Sequence, residues 1–346
     1  MAKVKVRFGP GSRHAVGEEV DGLSCSRAMV LSTPEQSDAA LAVAETLGAR
    51  AVGVYSKAAM HTPLAVTEDA LSHVKEADAD CVVSVGGGST TGLGKAIAYR
   101  TDLPQVVIPT TYAGSEATPI LGETADGAKT TLTDPKVQPE VIIYDAELVR
   151  SLPQDMTVTS ALNAMAHAVE ALYARDRNPV SSLLAIEGLK AFRDGLPAVR
   201  ENPDDLDARS QTLYGAFLCG TVLGQVGMAL HHKLCHTLGG AFDLPHAQTH
   251  AVLLPHTAGY NFEAVPDLLA PVSQTFGGTH AGAGLYAFAR DMKAPLALKE
   301  FGLTEADLGK AADLATQNPY WNPRPVERDQ ILALLKRAWA GDPPIH

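Results

Sequence analysis

Hydrophobic residues follow two rhythms along the chain. Up to about residue 150, short apolar or β-branched runs alternate with amphipathic stretches. The runs Lys3–Phe8, Ala28–Ser32, Ala51–Tyr55, Cys81–Val85, Gln105–Pro109 and Glu140–Tyr144 predict strands. Pro34–Leu47, Pro63–Glu76 and Thr90–Arg100 predict helices between them. This alternation argues a parallel sheet covered on both faces, whose inner strands read as unbroken apolar runs. Cys81-Val82-Val83-Ser84-Val85 is such a run. Past residue 150 strands become scarce. Long Ala/Leu-rich segments take over: Asp155–Tyr173, Val180–Phe192, Asp205–Leu218, Leu223–Leu238, His250–Tyr260, Ala281–Met292 and Glu327–Trp339. They predict an all-helical second domain. Ser151-Leu152-Pro153, with proline at a helix start, marks the junction. The expected organisation is an α/β domain over 1–152 and a helical domain over 153–346.

Composition narrows the function classes. The 346 residues include 28 Lys+Arg against 39 Asp+Glu, a formal charge of −11, with no local basic stripe, which argues against nucleic acid as a partner. No apolar run approaches the roughly 18–20 residues of a membrane span. The opening Met1-Ala2-Lys3-Val4-Lys5-Val6 alternates like a strand and not like a signal peptide. Cys25, Cys81, Cys219 and Cys235 are widely spaced, which indicates neither a disulfide framework nor a thiolate zinc site. A reduced, cytoplasmic enzyme is the expectation.

Two polar turns carry candidate cofactor chemistry. Gly86-Gly87-Gly88-Ser89-Thr90 follows a strand and opens a helix. Glycines let backbone approach a phosphate, and a helix start offers unpaired N–H groups. The pattern is neither G-x-G-x-x-G nor a P-loop; an ordinary tight turn is the competing reading, though three glycines exceed its needs. Thr110, Thr111 and Ser115 follow the next strand, on the same side of a parallel sheet, where ligands bind. Ser32 and Thr33 end the second strand, where an acidic residue would bind a ribose hydroxyl and repel a 2′-phosphate. Their neutrality leaves both NADH and NADPH acceptable.

Six of the twelve histidines lie between His231 and His256. Asn163 and His167 are four apart on one predicted helix, as are His232 and His236 on another, so each pair shares a face. His246 follows ten residues later. Imidazoles so arranged suit a metal, a proton relay or a bound anion. Asn163 is a much weaker ligand than aspartate, although Glu170 and Asp243 keep a carboxylate within reach along the chain. Lys233 is a carboxylate anchor, a proton source or a solvent-facing lysine. His250 and His256 are assigned structural or surface roles.

In combination and order, Gly86-Gly87-Gly88-Ser89, Pro109-Thr110-Thr111 with Gly114-Ser115-Glu116, and His236-Thr237-Leu238-Gly239 with Pro245-His246 resemble the iron-containing alcohol dehydrogenases over nearly the whole chain. The resemblance implies a dinucleotide-binding α/β domain, a helical domain, an active site in the cleft between them, and a homodimer. It adds Lys129 to the cofactor-binding residues. In metal-dependent members an Asp and three His hold iron or zinc; Asn163, His167, His232 and His246 stand at those positions here, and His236 matches a histidine near the nicotinamide. The Asn, the run His231-His232-Lys233-Leu234-Cys235-His236 and the Thr111–Glu116 turn look most like a metal-independent branch. That branch reduces the dicarboxylate maleylacetate to 3-oxoadipate with NADH or NADPH, late in aromatic-ring degradation. No metal is expected; were one present, His167, His232 and His246 would hold it. Asn163, His167, His232, Lys233, His236 and His246 are the expected catalytic group, of which His232, Lys233, His236 and His246 form a cationic cluster for a dianionic substrate. A metal-dependent alcohol or polyol dehydrogenase of the same family, and a catalytically silent nucleotide-binding protein, are the alternatives.

Overall fold

Six strands, four of them buried along their whole length, pair in parallel and leave helices to cover each side. The computed structural model describes residues 4–125 and 128–344 and separates into two units, Met1–Leu152 and Pro153–His346. In the first, β1 (Lys5–Phe8), β2 (Ala28–Leu31), β3 (Ala51–Tyr55), β4 (Cys81–Gly86), β5 (Gln105–Pro109) and β8 (Val141–Tyr144) form one sheet, ordered β1-β8-β5-β4-β2-β3. All its pairings are parallel. β6 (Ile120–Ala125) and β7 (Ala128–Thr133) make a separate antiparallel hairpin. The strand pattern did not predict this hairpin: Leu121 is its one fully buried hydrophobic residue on β6, so alternation is nearly absent.

The helices sort onto the two faces. α1 (Val16–Gly22) and α2 (Ser37–Leu47) pack Val16, Val20, Ala40, Val43 and Leu47 against Val30, Val83, Val85 and Ile108. α3 (Leu64–Glu76) and α4 (Gly88–Thr101) pack Ala70, Val74, Leu93 and Ile97 against Met29, Leu31 and Val82. The chain leaves β2 for β3 in one direction and crosses back to β4 and β5 in the other. The reversal therefore lies between β2 and β4, where parallel sheets of this kind receive ligands at their carboxyl ends.

The second unit holds α5 (Gln154–Tyr173), α6 (Pro179–Glu201), α7 (Leu206–Leu223), α8 (Leu230–Phe242), α9 (His246–Phe262), α10 (Pro266–Phe276), α11 (Ala281–Asp291), α12 (Asp307–Thr316) and α13 (Arg328–Ala340). From Thr157 to Tyr173 every residue of α5 is buried, so polar groups on this helix must be paired or functional. Three expectations change. The predicted helix Leu223–Leu238 is interrupted: residues 224–229 are not helical, and Gly227 N–H bonds the Asp176 carboxylate instead. α6 continues nine residues beyond Phe192, to Glu201. α10 and α12 lacked a long apolar run, since α10 carries Pro266 and Pro271 and α12 buries only Leu308 and three alanines. No described helix is long and apolar enough to cross a membrane.

Candidate functional site

In the first unit, adjacency of β2, β4 and β5 brings the turns after these strands side by side. Ser32 follows β2, buried, its hydroxyl bonded to Ser56 Oγ at 2.9 Å; Thr33 is half-buried beside it. The glycine turn divides by packing. A Cβ on Gly86 would sit 2.3 Å from Thr90 Oγ1, and one on Gly87 2.8 Å from Thr111 Cγ2, so the two turns touch and require glycine for space. A Cβ on Gly88 would meet nothing within 4 Å. Gly88 opens α4, whose N-cap, Gly87, supplies no side-chain bond to the first-turn N–H groups. An open hollow over unpaired helix N–H groups fits a cofactor phosphate. The helix starts two residues earlier than expected, which places Ser89 and Thr90 in its first turn.

Thr110 N–H bonds Gly86 O at 3.1 Å, tying the second turn to the first, while Thr111 packs on Gly87. Ser115 Oγ is buried without a partner. Its carbonyl accepts from Lys95 Nζ at 2.6 Å, a lysine that also donates to Thr118 O at 2.7 Å, Thr118 Oγ1 at 2.9 Å and Ile120 O at 2.9 Å. Burial pushes the Lys95 ammonium down to about 7, while neighbouring Glu116 pulls it up. Lys95 thus acts as an internal cross-tie for the 115–120 segment. Its signal in the sequence was a lysine amid the apolar positions of α4, easily read as surface. The side chain of Lys129, on β7, lies outside the described residues.

In the second unit, α5 sets Asn163, His167 and Glu170 along one buried face at spacings of four and three. α8 presents His231, His232, Lys233, Cys235 and His236; α9 begins at His246 and adds His250 one turn on. The structure brings His167, His232, His246 and also His250 together. Ring centroids are 5.2 Å apart for His167–His232, 5.1 Å for His232–His250 and 4.3 Å for His246–His250. His250, expected to be peripheral, is central and fully buried. Its i, i+4 spacing from His246 was the available signal. His256 is buried as well, but lines a different cavity.

Glu170 organises the cluster. Its Oε2 accepts from His232 Nδ1 at 2.7 Å and Ala229 N–H at 2.9 Å; Oε1 accepts from His231 N–H at 2.7 Å and the Tyr173 hydroxyl at 3.4 Å. It caps the first turn of α8, which has no cap of its own, and restrains backbone N–H groups otherwise buried and unpaired. The bond to Nδ1 makes that nitrogen the donor and leaves His232 Nε2 as the ring atom available for chemistry.

A second chain of bonds fixes further tautomers. The Thr257 hydroxyl donates back to Leu253 O at 3.0 Å, so its oxygen accepts from His231 Nδ1 at 2.9 Å. His231 Nε2 then accepts from His250 Nδ1 at 2.9 Å, with the Cys235 thiol 3.6 Å away. Burial keeps that thiol protonated and able to donate. His250 Nε2 is left as a bare acceptor, buried without a partner, as are Asn163 Oδ1 and His167 Nδ1.

Burial, then neighbouring imidazoles, drives His167, His231 and His250 well below the usual histidine range. These three rings are therefore neutral at pH 7, because a charge there would lose its hydration with no carboxylate against it; none of them belongs to the expected cationic group of His232, Lys233, His236 and His246. Positive charge comes from Lys233, half-buried in the first turn of α8. Lys233 Nζ sits 5.8 Å over the Tyr320 ring, and His236, exposed, contacts the Tyr320 hydroxyl through Nδ1 at 3.0 Å. Both line an open cavity of about 370 Å³ with Gln317 and Asn318. Tyr320 carried no pattern that sequence reasoning could use.

The donor set lacks the carboxylate ligand of the metal-dependent pattern. Asn163 offers an amide oxygen, a much weaker ligand than aspartate, and Glu170 spends both oxygens on hydrogen bonds. Among the described residues, donor triplets within 4.8 Å are His231–Cys235–His250 and Cys25–Asp80–Cys81, neither of which is the expected set.

Residues 3–146 match the family model for iron-containing alcohol dehydrogenase, and 157–339 that for the C-terminal part of the Fe-containing alcohol dehydrogenase family. The chain is 61% identical over 343 residues to maleylacetate reductase of Rhizobium sp. (strain MTP-10005), covering 99% of this chain and 97% of that one. It is 51% identical over 341 residues to maleylacetate reductase of Sphingobium indicum, covering 99% and 97%. The crystal structure of maleylacetate reductase from Agrobacterium tumefaciens superposes with a TM-score of 0.97 at 59% identity, covering 99% and 98%.

Proposed function

The chain belongs to the iron-containing alcohol dehydrogenase family, and within it we propose an NAD(P)H-dependent reductase that converts the carbon–carbon double bond of maleylacetate to give 3-oxoadipate. The observation that carries this reading is the floor of the histidine cluster: Asn163 beside the neutral rings of His167 and His250, with Glu170 fully hydrogen-bonded. Such a floor lacks the carboxylate ligand of the metal-dependent pattern, and it suits a conjugated ketone, whose developing enolate needs only aimed donors. Similarity to maleylacetate reductases over nearly the full chain supports the same substrate.

In this reading the first unit holds the cofactor's phosphates over Gly87, Gly88 and Ser89. Thr110, Thr111, Ser115 and Lys129 lie along it, and Ser32 and Thr33 stand at the ribose. When bound, NAD(P)H supplies the hydride to the carbon β to the ketone. With both ring nitrogens protonated, His232 keeps Nδ1–H on Glu170 and donates Nε2–H to the ketone oxygen, Glu170 balancing the charge on the ring; one such donor contributes about 3–4 kcal/mol to the transition state. His236, open to solvent and braced by Tyr320, returns the proton to the α carbon. Lys233 anchors a substrate carboxylate. Asn163, His167 and His246 take up the remaining substrate oxygens, directly or through water. No metal takes part. The family resemblance supports a cytoplasmic homodimer acting on a small dicarboxylate, with no nucleic acid or membrane partner.

The test is cofactor oxidation with maleylacetate against a panel of aldehydes and polyol-derived ketones, with NADH and NADPH in parallel and the product identified. Rapid turnover of maleylacetate to 3-oxoadipate is expected. Preference for an aldehyde would overturn the assignment in favour of an alcohol dehydrogenase, and binding of NADH without turnover of any substrate would indicate a silent binding protein.

A further inference from the structure

Away from the histidine cluster, α9 and α13 enclose a cavity of about 270 Å³ with the segment around Arg324. Its polar lining is unusual for a chain of charge −11. Arg324 and Arg337 both face it, and neither forms an ion pair with a carboxylate among the described residues. Arg324 donates to Tyr260 O at 2.8 Å, with its guanidinium carbon 4.2 Å from the Tyr260 ring centroid. Arg337 donates Nε–H to Pro343 O at 2.8 Å. His256, 3% exposed, lines the same cavity with Nε2 buried and unpartnered. Burial and then Arg337 push its imidazole down to about 3, so the ring is neutral. Glu263, the one carboxylate in the lining, is exposed and lies 3.6 Å from His280 Nε2. Gly259, Ala333, Leu334 and the Tyr260 ring form apolar wall.

We propose that this cavity is a second ligand site, which takes a small carboxylic acid with an apolar body. Two guanidiniums lining one cavity match a carboxylate in charge, and each can donate two parallel N–H bonds to it. His256 Nε2 gains the partner it lacks, and the apolar wall covers the ligand's carbon skeleton. Inorganic phosphate would leave that wall wet. The volume lies at the lower edge of the roughly 300–1,000 Å³ of pockets for drug-sized ligands, which suits a small acid. None of these residues belongs to the catalytic group, so the site stands or falls independently of the substrate assignment.

Benzoate is the probe, titrated into the full chain labelled with ¹⁵N-histidine, with the His256 ring resonance identified by its loss in His256→Asn. A saturable shift at millimolar benzoate is expected. Arg337→Gln should weaken it about tenfold, since one charge-assisted contact is lost. Ala333→Glu, at an exposed helical position, should abolish it by placing the protein's own carboxylate at the mouth. Both variants should keep wild-type reductase turnover, which shows that they fold. No saturable shift, unchanged affinity in the two variants, or phosphate binding as tightly as benzoate would each overturn the proposal.

Discussion

Replacing Glu170 by Gln tests the group on which the cluster hangs. The carboxylate accepts from Ala229 N–H, His231 N–H and His232 Nδ1 at 2.7–2.9 Å, all buried. An amide has one acceptor atom, so its NH2 must face at least one of these donors. Leaving a buried donor unpaired costs about 1–3 kcal/mol, and loss of charge assistance on the remaining bonds adds about 1 kcal/mol each. A destabilisation of about 3–5 kcal/mol follows. Catalysis suffers separately. If charge balance and orientation of His232 contribute about 2–3 kcal/mol to the transition state, kcat falls about 30- to 150-fold. The KM for NADH should not move, because the cofactor-binding residues are on other elements. Steady-state kinetics at saturating cofactor, with denaturant melts on the same preparation, separate the two effects. A folded Glu170→Gln enzyme with kcat within about threefold of wild type would refute the role given to the Glu170–His232 pair.

Other outcomes follow from the same geometry. Lys233→Ala should raise KM for the dianionic substrate about 10- to 100-fold with a smaller fall in kcat, since a carboxylate anchor contributes mainly to binding; an unchanged KM places Lys233 outside the substrate site. Gly88→Ala should weaken cofactor binding at least about tenfold while leaving the melt unchanged, because its Cβ enters the hollow and meets no protein atom within 4 Å; unaltered cofactor affinity would remove the phosphate from this turn. Acid should destabilise the fold. His256, at about 3, stays neutral while the unfolded chain protonates near 6.5. Its stabilising contribution is fully present above about pH 7 and lost progressively as pH falls toward about 3, by about 2 kcal/mol at pH 5. His167, His231 and His250 shift in the same direction and add to the loss. Denaturant melts at about pH 8 and pH 5 check it, and equal stability at both would contradict neutral burial of these rings.

The sheet strands were legible because burial on both faces leaves an unbroken apolar run, as in Cys81–Val85. The turns after them were legible because glycine and hydroxyl residues cluster where backbone must be open. The β6–β7 hairpin was not, since its residues barely alternate. Within the site, i, i+4 spacing disclosed Asn163 with His167 and His232 with His236. The same spacing joins His246 to His250, but a histidine in an apolar run resembles an ordinary core residue until its neighbours are known. Glu170, Tyr320 and Lys95 act through partners 59 to 62, 84, and 20 to 25 residues distant, respectively. No local pattern encodes such pairings. Protonation was not legible either: burial without a facing carboxylate makes His167, His231 and His250 neutral, whereas His232 lies against Glu170.

The central claim is a carbon–carbon double-bond reduction carried by hydrogen-bond donors without a metal. Its most direct measurement is the rate of maleylacetate reduction after exhaustive chelation, with iron and zinc content determined on the same sample. The account predicts an unchanged rate with far less than one metal per chain. A rate lost on chelation and restored by iron or zinc would contradict it.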